Sequence, residues 1–238
     1  MKWNWNNILF IALVASLLFL YGFANQRNQL KKVKSVDIQF AEVAEFYIQE
    51  NDVYKLLIQS DETFQNLTKE NVDLKVLENN LETNDMIKNA QVYLTVDGIL
   101  GAEIEQRKPI LRFLDGGFQY IDEDGLIMPT SSHYSARVPI AFGFDSKEAI
   151  QLFKLAKAIH QDSFLQQQIT SIHKNGLGEL YVEIRDADFK IDFGDLNNIE
   201  LKLANFKAFF AKAKKDGRLK DYMNVDLQFG KQVVCTKK

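Results

Sequence analysis

The sequence predicts an α+β fold: a single N-terminal transmembrane helix, a small β-α-α-β-β domain, then a mixed β-sheet domain with flanking helices. Three observations carry this. Residues 8–24 (ILFIALVASLLFLYGFA) hold no charge and no proline. The next 70 or so residues switch from period-two to helical spacing and back. Beyond Pro109, short alternating runs and tight turns are interrupted by two amphipathic helices. Composition agrees: 238 residues, 46% apolar and 26% charged, with 3 Pro and 12 Gly, is ordinary globular material rather than a disordered chain.

Residues 1–7 read as a short tail and residues 8–24 as a membrane anchor, at the lower limit of spanning length. Trp3, Trp5 and Tyr21 suit the interfacial aromatic belt. Gly22-Phe23-Ala24 keeps a cleaved signal peptide open as the alternative. Arg27, Lys31, Lys32 and Lys34 follow the segment and only Lys2 precedes it. Local charge therefore favours a cytoplasmic carboxyl side, although long domains translocate despite such charge.

Residues 25–34 form a polar stalk. Residues 36–40 (VDIQF) alternate as a half-buried strand. Residues 51–58 form a helix, capped by Asn51 or Asp52, with Val53, Leu56 and Leu57 on one face. Residues 71–81 place Val72, Val76, Leu77 and Leu81 at helical spacing. Residues 87–96 and 100–105 make a hairpin that turns at Asp97-Gly98. This small domain is expected over residues 35–107.

The second domain is expected over 108–238. Its strands are 111–113, 118–121, 126–128, 169–173, 179–184, 189–193, 225–229 and 232–236. Its helices are 146–160, capped by Ser146 and carrying Ile150, Phe153, Leu155 and Ile159, and 198–214. Asp122-Glu123-Asp124-Gly125 has the make-up of a tight turn.

No reaction assembles from these residues. His133, His160 and His173 lack metal-ligand spacing. Ser131-Ser132-His133 are sequence neighbours, which rarely form a triad, and GxSxG and phosphate-loop motifs are absent. Asp115, Asp122 and Asp124 are candidate acids for a hydrolase, but a turn explains their clustering better. Cys235, the single cysteine, excludes an internal disulfide. The net charge of −3 argues against nucleic-acid binding. No catalytic residue, cofactor, metal or small-molecule substrate is expected.

The stretch EQRKP (Glu105 to Pro109), the run Phe118-x-Tyr-Ile-Asp-x-x-Gly125, and the closing Val225-Asp-Leu-Gln-Phe229 occur in an order that resembles the FtsQ/DivIB family of cell-division proteins. Residues 127–129 and 136–139 are similar to Bacteroidota-type members. The β-α-α-β-β block resembles that family's POTRA domain.

The resemblance implies a non-enzymatic bitopic scaffold in the cell inner membrane. Its N-terminus would be cytoplasmic and its carboxyl domains periplasmic, at the division septum. It would recruit FtsB/DivIC-like and FtsL-like coiled-coil partners and help control septal peptidoglycan synthesis. Gln228 stands where a basic residue is usual, which bears on any salt bridge offered to a partner. The terminal strand is expected to be an edge to which a partner strand adds, with Leu227, Phe229, Val233 and Val234 as partner contacts. Glu105, Arg107 and Pro109 mark the domain junction, their charges read as solvated or bridging the joint. A POTRA-type envelope assembly factor is the alternative, and an envelope hydrolase a more distant one.

Overall fold

The computed structural model describes residues 5–29, 32–41, 47–58, 72–230 and 232–238. These fall into two compact units, the first ending at Gln106 and the second running from Arg107 to Lys238.

The first unit begins with helix α1 (Trp5–Gln29), which continues through the first five residues expected to be stalk. Its stretch Asn7–Gln26 is long and apolar enough to cross a membrane, and none of it is buried in the protein. Twenty residues rise about 30 Å, one hydrocarbon core.

Strand β1 (Ser35–Phe40), helices α2 (Glu50–Ile58) and α3 (Leu74–Glu82), and strands β2 (Ile87–Leu94) and β3 (Ile99–Gln106) follow. The sheet order is β1-β3-β2, with β1 parallel and β2 antiparallel to β3. Val53 and Leu57 of α2 and Leu77 and Leu81 of α3 pack on Ile87, Leu100 and Ile104.

Two expected details differ. The helix expected from residue 71 begins at Leu74, where Asp73 caps it by accepting from the Lys75 and Val76 amides, and Val76 is exposed. Helix α2 starts at Glu50, which places Asn51 and Asp52 inside its first turn. The hairpin turns at Asp97-Gly98: Gly98 sits at φ +91°, and a Cβ there would meet the Lys32 carbonyl at 2.8 Å. Only glycine satisfies both.

The second unit is one nine-stranded sheet among the described residues, in the order β12-β11-β10-β9-β8-β7-β4-β5-β6. Its strands are β4 (Pro109–Leu114), β5 (Phe118–Asp122), β6 (Ile127–Pro129), β7 (Ile140–Phe142), β8 (Ile169–Lys174), β9 (Leu180–Ile184), β10 (Lys190–Gly194), β11 (Tyr222–Asp226) and β12 (Val234–Lys237). Helices α4 (Ala149–His160), α5 (Ser163–Gln168) and α6 (Ile199–Lys215) share a core with one face. Phe113, Ala141, Ile172, Val182, Ile191 and Val225 supply that face, meeting Leu152, Leu155, Phe206 and Phe210. By alternation the opposite face carries Phe142, His173 and Tyr181, stacked with ring centroids 4.9 and 4.5 Å apart.

Corrections here have local causes. Asp145 rather than Ser146 caps the α4 region, through a capping box with Glu148. Ser146 instead donates its hydroxyl to Asp115 at 2.5 Å. Ile150 is exposed, and the buried stripe is Ala149, Leu152, Leu155, Ala156 and Ile159. Strand β7 and helix α5 were not expected at all.

Candidate partner-binding edge and junction

The last two strands shift from expectation. β11 ends at Asp226, three residues before the expected limit, because the Asp226 carboxylate accepts the Gln228 amide at 2.8 Å and turns the chain. β12 pairs back antiparallel, Val234 opposite Asp226 and Cys235 opposite Val225. It stands at one edge of the sheet, with β6 at the other.

The four expected contact residues separate in this geometry. Leu227 is 1% exposed, a core residue whose amide donates to the Asp192 carbonyl at 2.9 Å, so its side chain has no surface to offer. Val233 is half-buried against the same core. Phe229 is 48% and Val234 41% exposed. Leu201 on α6, also exposed, lies close to Gly230, next to Phe229: its Cδ2 would be 3.9 Å from a Cβ at Gly230. Sequence reading missed Leu201 because it lies 28 residues before Phe229 in the chain and reads as one more apolar helix position. Gln228 lies over Gly194, where an added Cβ would come within 2.6 Å of its Cγ. Cys235 packs against the core, and burial raises its thiol pKa, so it is a poor nucleophile.

At the junction, charge turns out to be structural. Arg107 Nη1 donates to Asp122 Oδ2 at 2.9 Å, with side-chain exposures of 18% and 1%. Asp122 Oδ1 accepts the amides of Asp124 and Leu126 at 3.0 and 2.7 Å, which closes the β5–β6 turn. The reading of these charges as solvated is therefore corrected for this pair, and both partners belong to the second unit. Pro109 opens β4 opposite Asp122, a strand-initial place that needs no ladder donor. Glu105 lies 3.9 Å from Lys88 across β2 and β3.

The candidate acids are likewise occupied. Asp115 accepts both the hydroxyl and the amide of Ser146, and these bonds hold its carboxyl below the usual range. His173 Nε2 lies 2.9 Å from Ser171 Oγ. Among the described residues no group of three His, Cys, Asp or Glu could hold a metal. In the first unit, Phe40, Gln49, Glu50, Asn51 and Tyr54 line an open cleft of about 620 Å³ between β1 and α2.

Residues 108–236 match the family described as FtsQ/DivIB, C-terminal related. The chain belongs to that family. Residues 31–105 match a POTRA-like domain. No curated protein gives a match. This FtsQ/DivIB-type chain thus joins one apolar N-terminal helix, a POTRA-like domain and a large mixed-sheet domain, a combination that supports a scaffold role in cell division.

Proposed function

We propose that this protein is a non-enzymatic, single-pass scaffold of the division septum. Anchored by α1 in the cell inner membrane with its carboxyl domains periplasmic, it recruits FtsB/DivIC-like and FtsL-like coiled-coil partners and helps control septal peptidoglycan synthesis. One observation carries the reading: β12 is an edge of the large sheet, with Val234 exposed on it and Phe229 exposed in the segment that leads to it. An edge strand offers unpaired N–H and C=O groups, so an extended partner segment adds by main-chain bonding while apolar side chains supply contact area.

The test is co-purification of the full chain with tagged DivIC- and FtsL-like proteins from the native membrane, beside a Phe229→Ala, Val234→Asp variant. Loss of both partners in the variant, with a septal fluorescent fusion in the wild type, is expected. Undiminished recovery by the variant would remove the edge from the account. A uniform membrane distribution with normal division on depletion would remove the divisome role itself.

A further inference from the structure

The tip of the β2–β3 hairpin is tied to the chain that leaves the apolar helix. The Lys34 amide donates to the Gly98 carbonyl at 2.8 Å, and the Lys32 carbonyl stands where it would meet a Cβ on Gly98. Chain length then limits where the tip can be. The apolar stretch ends at Gln26 and α1 at Gln29. Three helical residues rise about 4.5 Å, and the three that reach Lys32 span at most about 11 Å. The tip is therefore held within about 15 Å of the edge of the hydrocarbon core, whose headgroup layer is itself about 5–8 Å deep. The Gly98 amide donates to the Thr95 carbonyl at 3.1 Å, which makes Val96 and Asp97 the central residues of the turn. Val96 is 72% exposed at a position where glycine or a polar residue is the rule. Tyr93 and Ile99, also exposed, flank it on the sheet face away from α2 and α3, because their neighbours Val92 and Leu100 point into the core. Arg27, Lys31, Lys32 and Lys34 stand between the apolar stretch and β1 with no acid among them. Lys32 and Lys34 are exposed, and Asp97 in the turn is the charge that opposes them.

Resting on the reading of α1 as a membrane span, we propose that this hairpin tip is a second membrane contact. Val96, Tyr93 and Ile99 enter the interfacial layer of the bilayer that α1 crosses, and Lys32 and Lys34 meet the phosphates of anionic lipids. Each part has its physical reason. A β-branched apolar side chain at the apex of a turn gains by leaving water. A tyrosine settles at headgroup depth, its ring in apolar surroundings and its hydroxyl wet. Lysines next to a span are drawn to an anionic surface, and their long stems let the ammonium groups reach it. The consequence is orientation. A single tether limits the height of the first unit but not its tilt, whereas a second contact fixes both. It thereby sets which surfaces of the three-stranded sheet and its two helices look away from the bilayer. The contact is independent of the side on which the unit lies, because the tip and the chain leaving α1 always share a side.

Fluorescence quenching in vesicles of phosphatidylethanolamine and phosphatidylglycerol tests this on the full chain. In a Cys235→Ser background, a nitrobenzoxadiazole label is placed at Ser35→Cys, Asn89→Cys or Leu13→Cys, and nitroxide quenchers are carried by lipids at the headgroup, high on the acyl chain or deep in it. Ser35 pairs with Ile99 beside the tip and leaves the proposed contacts intact. Asn89 is exposed seven residues up β2 from Val96, about 20 Å away. Headgroup and shallow acyl-chain nitroxides should quench the label at 35 and not the label at 89. Val96→Ser should weaken the shallow quenching at 35. Lys32→Gln, Lys34→Gln, or exchange of phosphatidylglycerol for phosphatidylcholine, should lower the ratio of inserted to free tip by about tenfold. Equal quenching at 35 and 89, or a signal at 35 that Val96→Ser leaves unchanged, overturns the contact while the span stands. A signal that neither the lysine variant nor the lipid exchange moves overturns the lysine–phosphate part. A label at 13 that deep nitroxides fail to quench overturns the span itself, and the contact with it.

Discussion

Asp122 and Arg107 show how far a residue's role depends on what folding brings to it. Within the sequence, Asp122 is one of several acids in a turn. In the fold it is almost wholly buried and answers three donors, one of them the Arg107 guanidinium. Removing the carboxylate leaves a half-buried cation and two turn amides unmatched. Asp122→Ala should therefore cost about 3–5 kcal/mol in thermal or urea unfolding of the detergent-solubilised chain. Arg107→Met should cost less, because the turn amides keep their acceptor. Equal costs would mean that the amides contribute nothing. A second pair lies under the edge site. Buried Lys202 donates to the Asp195 carboxylate at 2.7 Å and to its carbonyl at 2.8 Å. The Lys202 hydrogen bond, then Asn197, pulls the Asp195 carboxyl from its ordinary 3.8 down to about 2. A lowered carboxylate pKa stabilises the folded state above the unfolded value, and that contribution is lost as pH falls through about 2. Asp195→Asn should thus be less stable than wild type at pH 6, with the gap closing as pH falls from about 3.8 toward 2. A gap that persists at pH 2 would assign the effect to packing instead.

At the level of elements, what could be read from the sequence followed the length over which a period repeats. Helices α4 and α6 and the β2–β3 hairpin run eight residues or more, enough for apolar spacing or an Asp-Gly turn to stand out. Strand β7 has three residues and α5 has six, too few to show any period, and both exist because the sheet and core around them are already specified. Boundaries failed where a side chain overrode propensity: Asp73 and Asp145 took the caps, and Asp226 ended β11 early. The edge itself was legible, since a terminal strand has sequence neighbours on one side only. Its surface was not, because Leu227 and Phe229 look alike until one faces the core. The caps can be weighed. Asp145→Ala loses the acceptor for the Lys147 and Glu148 amides and should cost about 1 kcal/mol, read as a lower unfolding midpoint. In the first unit, Gly98→Ala forces a side chain into φ +91° and against the Lys32 carbonyl. It should cost about 1–3 kcal/mol. A neutral result would show that the hairpin can relax around the added methyl.

For the molecule as a whole, flanking charge and domain length act in opposite senses on the direction in which α1 would cross a membrane. The basic residues Arg27, Lys31, Lys32 and Lys34 follow the apolar segment, against Lys2 before it, and taken alone they favour a cytoplasmic carboxyl side. Two considerations weigh against that. The charge bias governs short loops near the membrane, whereas about 200 residues follow this helix, and domains of that length translocate largely regardless of flanking charge. The edge addition proposed above requires the second unit on the periplasmic side, where periplasmic segments of bitopic partners would lie. The single cysteine makes the question experimentally clean. In a Cys235→Ser background, Leu177→Cys places one thiol on a loop residue that is 85% exposed, and Lys2→Cys places one on the tail. A membrane-impermeant maleimide applied to spheroplasts should label position 177 at once and position 2 only after lysis. The reverse pattern would put both domains in the cytoplasm, and the septal scaffold reading could not survive it.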